Sequence, residues 1–299
     1  MAQVTIPKST ALFPRPALSA RPAPAWWIHI WQQPTAFIGL VLLTTITLIA
    51  IGAPLLAPGN PFTSVAAPLQ SPSAAHWLGT DDLGRDIFAE LVHGARVSLF
   101  VGWATAFTSA ICGLVIGSIA GLLGGWVDDV LMRLTELVQV MPRFFLAIIV
   151  SSFWGGSVLN IVLILGLTFW TSTARLLRAQ VLSLRGREFV LAARSVGSRE
   201  RVILLRHILP HALPAFLIST ALQIGSAILV EAGLSFLGLG DRNLISWGYM
   251  LNNAQPFIQR AWWMSVFPGL ALLLTVVAVN LITDGLNEAR DPRLAHLAK

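Results

Sequence analysis

The sequence predicts an all-α integral membrane protein with six transmembrane helices and a short cytoplasmic helix between the fourth and fifth of them. Three observations lead to this fold class. Apolar residues make up 55% of the 299 residues and charged residues only 11%, whereas a soluble domain carries about 25% charged residues. Several uncharged runs reach the length of about 20 residues that a bilayer crossing needs. Arginine and lysine are concentrated in alternate connecting segments.

Uncharged or nearly uncharged runs define the spans in chain order. The second run is rich in small residues that allow close helix contact, and the fifth continues past one glutamate to Gly240. The six expected spans are Ala36–Ala57, Val97–Leu123, a third from near Val130, Val158–Leu177, His211–Val230 and Ala261–Thr283.

The third and fourth spans must be separated within one long apolar run. Phe144–Ala174 has 31 residues and no charge, and a single helix of that length would measure about 46 Å, too long for one crossing. The turn residues Trp154–Ser157 predict the break between two helices. The earlier helix then holds its charged residues near one end, namely Arg133, Glu136 and Arg143.

The distribution of basic residues orients the chain. With both termini in the cytoplasm, fifteen arginines and lysines lie in cytoplasmic segments and four in outer loops, which is the bias expected of membrane proteins. The expected segments are a cytoplasmic tail with an aromatic anchor, WWIHIWQQP (1–35), the first transmembrane helix (36–57), an extracytoplasmic segment (58–96), a five-helix core that includes the loop 178–211 (97–284), and a cytoplasmic tail (285–299).

Several kinds of chemistry are absent or disfavoured. The only lysines are Lys8 and Lys299, so the chain has no phosphate-binding P-loop and is not expected to be an ATPase or another enzyme. His207 and His211 have the spacing of metal ligands on a helix, but no further ligand supports them. In the first outer loop, a cluster of aspartates and histidines is expected to cap and fold the loop rather than to bind metal, namely His76, Asp81, Asp82, Asp86 and His93.

Glu231 is the carboxylate expected at membrane depth in the fifth span. Ionisable residues at this depth are costly and often functional. Glu231 is therefore a candidate to line a transport pathway. The alternatives are a structural pair with an arginine and a position at the outer interface.

The chain between residues 175 and 206 contains eight arginines and only two acids. The sequence at 186–196 predicts a short helix, and Gly197 ends it because glycine accepts the left-handed conformation. Ser198 is expected to cap the next helix. The entry into the fifth span is expected at two prolines, Pro210 and Pro214. The segment could bind anionic lipid, bind nucleic acid or dock a cytoplasmic partner, and membrane burial disfavours nucleic acid because it leaves little free surface.

The stretch FVLAARSVGSRERVILLRHILP resembles the cytoplasmic EAA loop of permeases from binding-protein-dependent ABC importers. In that pattern E-A-A is followed by three residues and a glycine, and later by Leu-Pro. Leu191 stands where the family has glutamate, and Glu188, one turn earlier, is a candidate substitute. The matching positions are Ala192, Ala193, Gly197, Leu209 and Pro210.

Further blocks resemble the oligopeptide, dipeptide and nickel group of these permeases, in particular the second, C-type subunit. HWLGTDDLGRDIFAELVHGARVSL is similar to the outer segment typical of that group. The other blocks are LSFLGLG, SWGYML, FPGLALLLTV and DGLNEARDPRL, in the same order along the chain. Together they cover most of residues 76–294.

The resemblance implies that the loop contains a coupling helix, which seats in a groove on an ATPase subunit and transmits nucleotide-driven movement to the spans. We expect this coupling to depend on Glu188, Ala192, Ala193, Arg194, Gly197, Arg201, Leu209 and Pro210. It also implies a homologous second permease, two ATPase subunits that bind ATP and Mg, an extracytoplasmic binding protein and location in the bacterial inner membrane. No cofactor, metal or nucleic acid is expected on this chain itself.

The implied function is inward transport of dipeptides, oligopeptides or similar small solutes by alternating access. Nickel or metal-chelate import by the same family is the alternative. The compact link Gly238–Gly248 lacks the proline-rich insert common among dipeptide members, so the subgroup stays open. A secondary transporter driven by an ion gradient is the rival class. It predicts several carboxylates at membrane depth or an inverted repeat, whereas the spans offer one such carboxylate, Glu231.

Overall fold

The computed structural model describes residues 33–288, and every regular element in that part of the chain is helical. The last eleven residues lie outside the described range. So does the predicted N-terminal anchor, except for its last two residues, Gln33 and Pro34. The helices are α1 (Pro34–Ile51), α2 (Ala53–Leu56), α3 (Ile87–Leu123), α4 (Gly125–Val140), α5 (Arg143–Trp154), α6 (Val158–Arg185), α7 (Glu188–Ser195), α8 (Glu200–Ile203), α9 (Leu209–Phe236), α10 (Trp247–Ala254) and α11 (Trp263–Glu288).

Five helical stretches are long and apolar enough to cross a membrane, and α4 with α5 makes a sixth if the bent pair counts as one span. The predicted all-α fold with six spans is therefore confirmed. The third span was expected to be one helix from near Val130. It is instead two helices, α4 and α5, whose axes differ by 76°. Pro142 explains the break: it cannot donate to the helix, and Met141 before it is extended, with φ −75° and ψ 125°.

Two spans extend well beyond their apolar runs. Helix α3 begins at Ile87, ten residues before the predicted Val97, because Asp86 caps it: Oδ1 accepts from the N–H groups of Phe88 and Ala89 at 2.8 and 3.1 Å. Helix α6 continues past the predicted Leu177 to Arg185. The turn before α6 is confirmed, since α5 ends at Trp154 and Ser157 caps α6 through the N–H of Asn160.

The tightest helix pair is α3 with α6, and glycines make it possible. A Cβ atom on Gly113, Gly117 or Gly121 would lie closer than 3.0 Å to atoms of α6. At Gly117 the obstructing atom is a backbone carbonyl oxygen, that of Ala174, which cannot rotate away. The small residues of the second span therefore have the packing role predicted from the sequence.

We expect Gly117→Ala to destabilise the protein by about 1–3 kcal/mol, because overpacking at a rigid contact forces the two backbones apart. Gly269→Ala in α11 is the matched control, since nothing lies within 4 Å of a Cβ atom at that position. Thermal unfolding of the detergent-purified proteins measures the difference. Equal melting temperatures for the two variants would contradict this packing.

A buried polar contact joins three spans. The Gln223 amide of α9 accepts a hydrogen bond from the Ser109 hydroxyl of α3 and donates one to the Thr173 hydroxyl of α6. All three side chains are buried. In a bilayer such bonds hold helices in register, because the alternative is an unsatisfied polar group among lipid tails.

The segment before α3 folds back on the ends of α3 and α11. Trp263 donates from Nε1 to the carbonyl of Thr80 at 3.1 Å, and His76 Nδ1 lies 2.9 Å from Asp86 Oδ2. Burial raises the pKa of Asp81, although the N–H groups of Arg85 and Leu83 donate to its carboxylate. These contacts bear out the predicted capping and folding role, and within residues 33–288 no group of three potential metal ligands is close enough to hold an ion.

We expect Asp86→Ala to lower the free energy of unfolding by about 1–2 kcal/mol, because it removes the cap of α3 together with the contact to His76. Asp82→Ala is a suitable control, since Asp82 lies in the same segment and makes no side-chain hydrogen bond there. Chemical or thermal unfolding in detergent measures both. A loss no larger than that of the control would mean that Asp86 does not anchor the segment.

Candidate functional site

The site lies at the end of the bundle where α6 connects to α8, opposite the His76–Asp86 segment. Helix α6 ends at Arg185, α7 occupies Glu188–Ser195, and a second turn leads into α8 at Glu200. We call residues 186–199 the coupling segment. It is shorter than the predicted loop 178–211, because α6 and the helix that begins at Glu200 extend into both ends of that loop.

Gly197 forms the bend after α7. Its φ of +80° is in the left-handed region, as predicted. Its N–H donates to the carbonyl of Arg194 at 3.0 Å, and the N–H of Ser198 donates to that of Ala193 at 3.1 Å. This pair of bonds is the Schellman arrangement, which satisfies the last carbonyls of a helix and turns the chain sharply.

The predicted cap at Ser198 is wrong. Arg199 occupies the N-cap position of α8, with extended backbone and no side-chain capping bond. The N–H of Ser198 is already used by the bond to Ala193, so this residue completes the preceding turn instead of starting the next helix. The connection between α7 and α8 is therefore one residue longer than expected.

The inner side of α7 rests on an apolar seat. Val190 is fully buried in a cluster with Val181 of α6 and with Ile203 and Ile208 of the following helix. Phe189 adds a stacked contact with His211, with ring centroids 4.9 Å apart and planes at 23°. Because these contacts reach both flanking helices, α7 is held to the bundle as a rigid projection. We call this cluster the α7 seat.

The outer side of the coupling segment is open. Leu191, Ala192 and Val196 are exposed, and Val196 shows 82% of its surface. Nothing lies within 4 Å of a Cβ position at Gly197. Small and apolar side chains beside a bare glycine bend form a surface that another protein can approach closely.

Arg194 and Glu200 close the bend with a bidentate ion pair. Nε and Nη2 of Arg194 lie 2.7 and 3.1 Å from the two carboxylate oxygens of Glu200. The hydrogen bond to Glu200 raises the pKa of Arg194 further above its usual value. Arg194 thus has a partner inside this chain, whereas Arg201 and Glu188 are exposed and make no ion pair in the described part of the chain.

Leu209 and Pro210 are separated from the bend by a π-helical turn, Leu204–Ile208. The turn lets the N–H of Leu209 reach the carbonyl of Leu204, so the helix passes Pro210 without a break. The helix that contains the fifth span begins at Glu200, before Pro210 and Pro214, and is continuous to Phe236. That the two prolines mark its entry into the membrane stays a prediction.

Glu231 lies at the other end of that span and is almost completely buried. Its Oε1 accepts a hydrogen bond from Ser235 at 2.7 Å. Ser98 of α3 and Ser246, which caps α10, also face the carboxyl group, although neither makes a regular hydrogen bond to Oε2. No arginine pairs with it among the described residues.

Sequence reasoning found the bend and missed what supports it. The α7 seat and the Arg194–Glu200 pair join residues on different helices, and no spacing rule applies across a turn. One signal was available: opposite charges six residues apart around a glycine. The eight predicted residues fall into two groups. The coupling segment contains Glu188, Ala192, Ala193, Arg194 and Gly197, and the long helix contains Arg201, Leu209 and Pro210.

The sequence and the fold are similar to those of known transport proteins. Residues 113–296 match the family model of the binding-protein-dependent transport system inner membrane component. Residues 25–72 match the N-terminal transmembrane domain of oligopeptide transport permease C. Among solved structures, an inward-facing methionine ABC transporter, MetNI, is similar with a TM-score of 0.57 and 16% identity, over 67% of this chain and 96% of that chain.

Curated relatives match over most of their length. The dipeptide transport permease DppC of Alkalihalophilus pseudofirmus is 41% identical over 87% of this chain and 86% of its own. The oligopeptide transport permease OppC of Bacillus subtilis is 36% identical over the same shares. The resemblance predicted from the sequence motifs is thus confirmed. This chain belongs to the family of inner membrane components of binding-protein-dependent transport systems, as an ABC importer permease of the dipeptide and oligopeptide type.

Proposed function

We propose that this chain is the membrane-spanning subunit of an ATP-driven importer that carries dipeptides or oligopeptides into the cell. The proposal is supported by relatives that are peptide permeases by name and match along about 86% of their length. The chain has no P-loop, so an ATP-driven importer of this kind needs other subunits to hydrolyse the ATP. Those are two ATPases that bind ATP and Mg²⁺, and they act together with a second permease and an extracytoplasmic binding protein.

The observation that carries the proposal is the rigid bend at Gly197. We infer that the coupling segment seats in a groove of an ATPase subunit, with Leu191, Ala192 and Val196 in contact. The α7 seat joins this segment to α6 and to the helix that begins at Glu200. Movement of the ATPases therefore reaches two spans directly, without a flexible joint in between.

This function fixes the orientation. The coupling segment faces the cytoplasm of a bacterial cell, where ATP is available, and its arginines agree with the bias of cytoplasmic segments. Both termini then lie in the cytoplasm, and the His76–Asp86 segment lies outside the inner membrane, where the binding protein delivers its solute. The remaining exposed helix faces contact lipid or the second permease.

For Glu231 the observed burial supports a structural role. Its serine partners lie on α3, α9 and the start of α10, so the carboxyl group lies where α3, α9 and the start of α10 meet. A role in lining the pathway stays a prediction. It would require the helices around Glu231 to separate during transport, since the side chain is 2% exposed here.

Reconstitution tests the function. The chain is co-purified with its second permease and ATPase subunits, placed in proteoliposomes, and supplied with the binding protein and a radiolabelled dipeptide. We expect uptake that requires both ATP and the binding protein. Uptake driven by an ion gradient without ATP would instead identify a secondary transporter. Uptake of Ni²⁺ but of no peptide would identify a metal importer.

A further inference from the structure

Three charged side chains lie together, largely buried, where the His76–Asp86 segment meets the start of α3. Asp81 and Glu90 are 1% and 2% exposed, and Arg85 contacts both of them. Its Nε lies 3.9 Å from Asp81 Oδ2, and its Nη1 lies 3.6 Å from Glu90 Oε1. We call these three residues the outer charge cluster. Glu90 precedes the uncharged run that begins at Val97 by about 10 Å, so the cluster is outside the apolar part of the span.

The outer charge cluster is not balanced in charge. Asp81 Oδ2, Arg85 Nε and Glu90 Oε1 are buried and have no hydrogen-bond partner in the described part of the chain. A buried ion pair stabilises a fold only when its charges and hydrogen bonds are matched. With both acids ionised, one guanidinium faces two carboxylates, and one negative charge stays uncompensated. A single bound proton removes this excess charge and supplies an O–H donor.

Glu90 is the better site for that proton. Burial raises the pKa of Glu90 to about 8, and the negative charge of Asp81 raises it further, against the opposing effect of Arg85. Burial also raises the pKa of Asp81, but the backbone N–H groups of Arg85 and Leu83 donate to its Oδ1 and favour the ionised form. Acids that interact in this way titrate as a pair. Asp81 is thus prepared to hold the charge and Glu90 to hold the proton.

Arg85 connects this pair to other parts of the fold. Its Nη1 donates to the hydroxyl of Tyr249 in α10 at 3.4 Å, and its Cζ lies 5.1 Å from the ring centroid of Phe62. A change of charge beside Arg85 therefore acts on the attachment of residues 62–85 to both α3 and α10.

We propose that the outer charge cluster is a proton-dependent latch. With one proton shared between Asp81 and Glu90, it holds residues 62–85 against α3 and α10, and loss of that proton in alkaline medium loosens the attachment. In the proposed function this side of the chain faces the medium outside the membrane, so the latch would respond to external pH.

The direction of the effect follows from the raised pKa. Glu90 titrates at its ordinary pKa of 4.5 when the chain is unfolded and at about 8 in the folded protein. The stability that its protonation provides is complete below pH 4.5 and is lost as the pH rises through about 8. Between these values the unfolding equilibrium constant rises by up to about 10-fold per pH unit.

The test compares the unfolding of the wild type and Glu90→Gln in detergent between about pH 6 and about pH 9. Glutamine is uncharged at every pH and close in shape to the protonated acid. We expect the unfolding constant of the wild type to rise at least about 10-fold more than that of the variant over this range. Hydrogen exchange at the alkaline end, read by mass spectrometry, should be faster in residues 62–90 of the wild type than in the same residues of the variant.

A second variant keeps the test decisive if Glu90→Gln folds poorly. Asp81→Asn retains the Oδ1 acceptor and removes one carboxylate, so Arg85 then balances an ionised Glu90. The rise in the unfolding constant should be several-fold smaller than in the wild type. Glu136→Gln removes an exposed acid of α4 and should behave like the wild type.

Other titratable groups around the cluster are unchanged in the test variants, so their own titration is common to all the proteins compared. They are Asp82, Asp86, His76, His93 and Tyr249.

Two results would overturn the latch. One is the same pH dependence of unfolding in the wild type, Glu90→Gln and Asp81→Asn. The other is faster exchange spread equally over α6 and α9, which would indicate a general loss of stability instead of a local attachment. Neither measurement involves transport, so a failure of the proposed function is distinguishable from a failure of the latch.

Discussion

We expect Gly197→Val to reduce ATP-driven uptake at least about 10-fold while the protein stays in the membrane. At φ +80° a residue with a Cβ atom is strained by roughly 1–2 kcal/mol, and a β-branched residue by more. The strain is relieved when the turn opens, which breaks the bonds to Arg194 and Ala193 and moves α7 away from its seat. Uptake into proteoliposomes measures the effect, with ATP hydrolysis in the same vesicles.

Gly186→Val is the matched control. Gly186 lies in the same segment and has equally free space for a Cβ atom, but its φ of −87° suits any residue. Asparagine tolerates the left-handed conformation, so Gly197→Asn keeps the bend and adds only a side chain. If Asn restores uptake, the backbone conformation is what matters. If valine at 197 behaves like valine at 186, the bend is not required for coupling.

Charge reversal by Arg194→Glu is expected to lower uptake by about 3-fold to 10-fold. It places two carboxylates against each other at the bend, and like charges repel. The exposed ion pair itself adds little to stability, because solvent screens surface pairs of this kind. We therefore expect the melting temperature to change little, and the loss to appear as ATP hydrolysis without matching uptake.

The swapped double variant, Arg194→Glu with Glu200→Arg, decides what the arginine contacts. If its partner is Glu200, the swap restores the pair and most of the uptake. If Arg194 instead binds an ATPase directly, the swap leaves uptake as low as in the single variant. Arg201→Glu makes the complementary comparison, because Arg201 has no ion pair in residues 33–288 and is free to contact an ATPase.

The sequence predicted the spans because a lipid environment imposes a simple rule on composition. A run such as Val97–Leu123 is apolar enough to identify without any knowledge of its neighbours. Its glycines also predicted close packing, since a helix has few other uses for several small residues on one face. Gly197 was predictable for a similar reason, because its backbone conformation is a local property.

Other features depended on contacts between distant parts of the chain. Pro142 lay inside the expected third span, and composition alone does not show whether a proline ends a helix or is accommodated within it. Here Pro142 breaks the third span, whereas Pro210 and Pro214 are accommodated in the fifth. A π-helical turn precedes Pro210, and Ile203 and Ile208, at its two ends, pack under α7.

In the proposed function, the continuous helix from Glu200 to Phe236 would work as a lever. Its 37 residues span about 55 Å, and the coupling segment and the serines around Glu231 lie near its opposite ends. A tilt of roughly 5° about its centre displaces each end by about 2 Å over this length. A displacement of this size is large enough to separate hydrogen-bonded atoms at the end of the helix near Glu231.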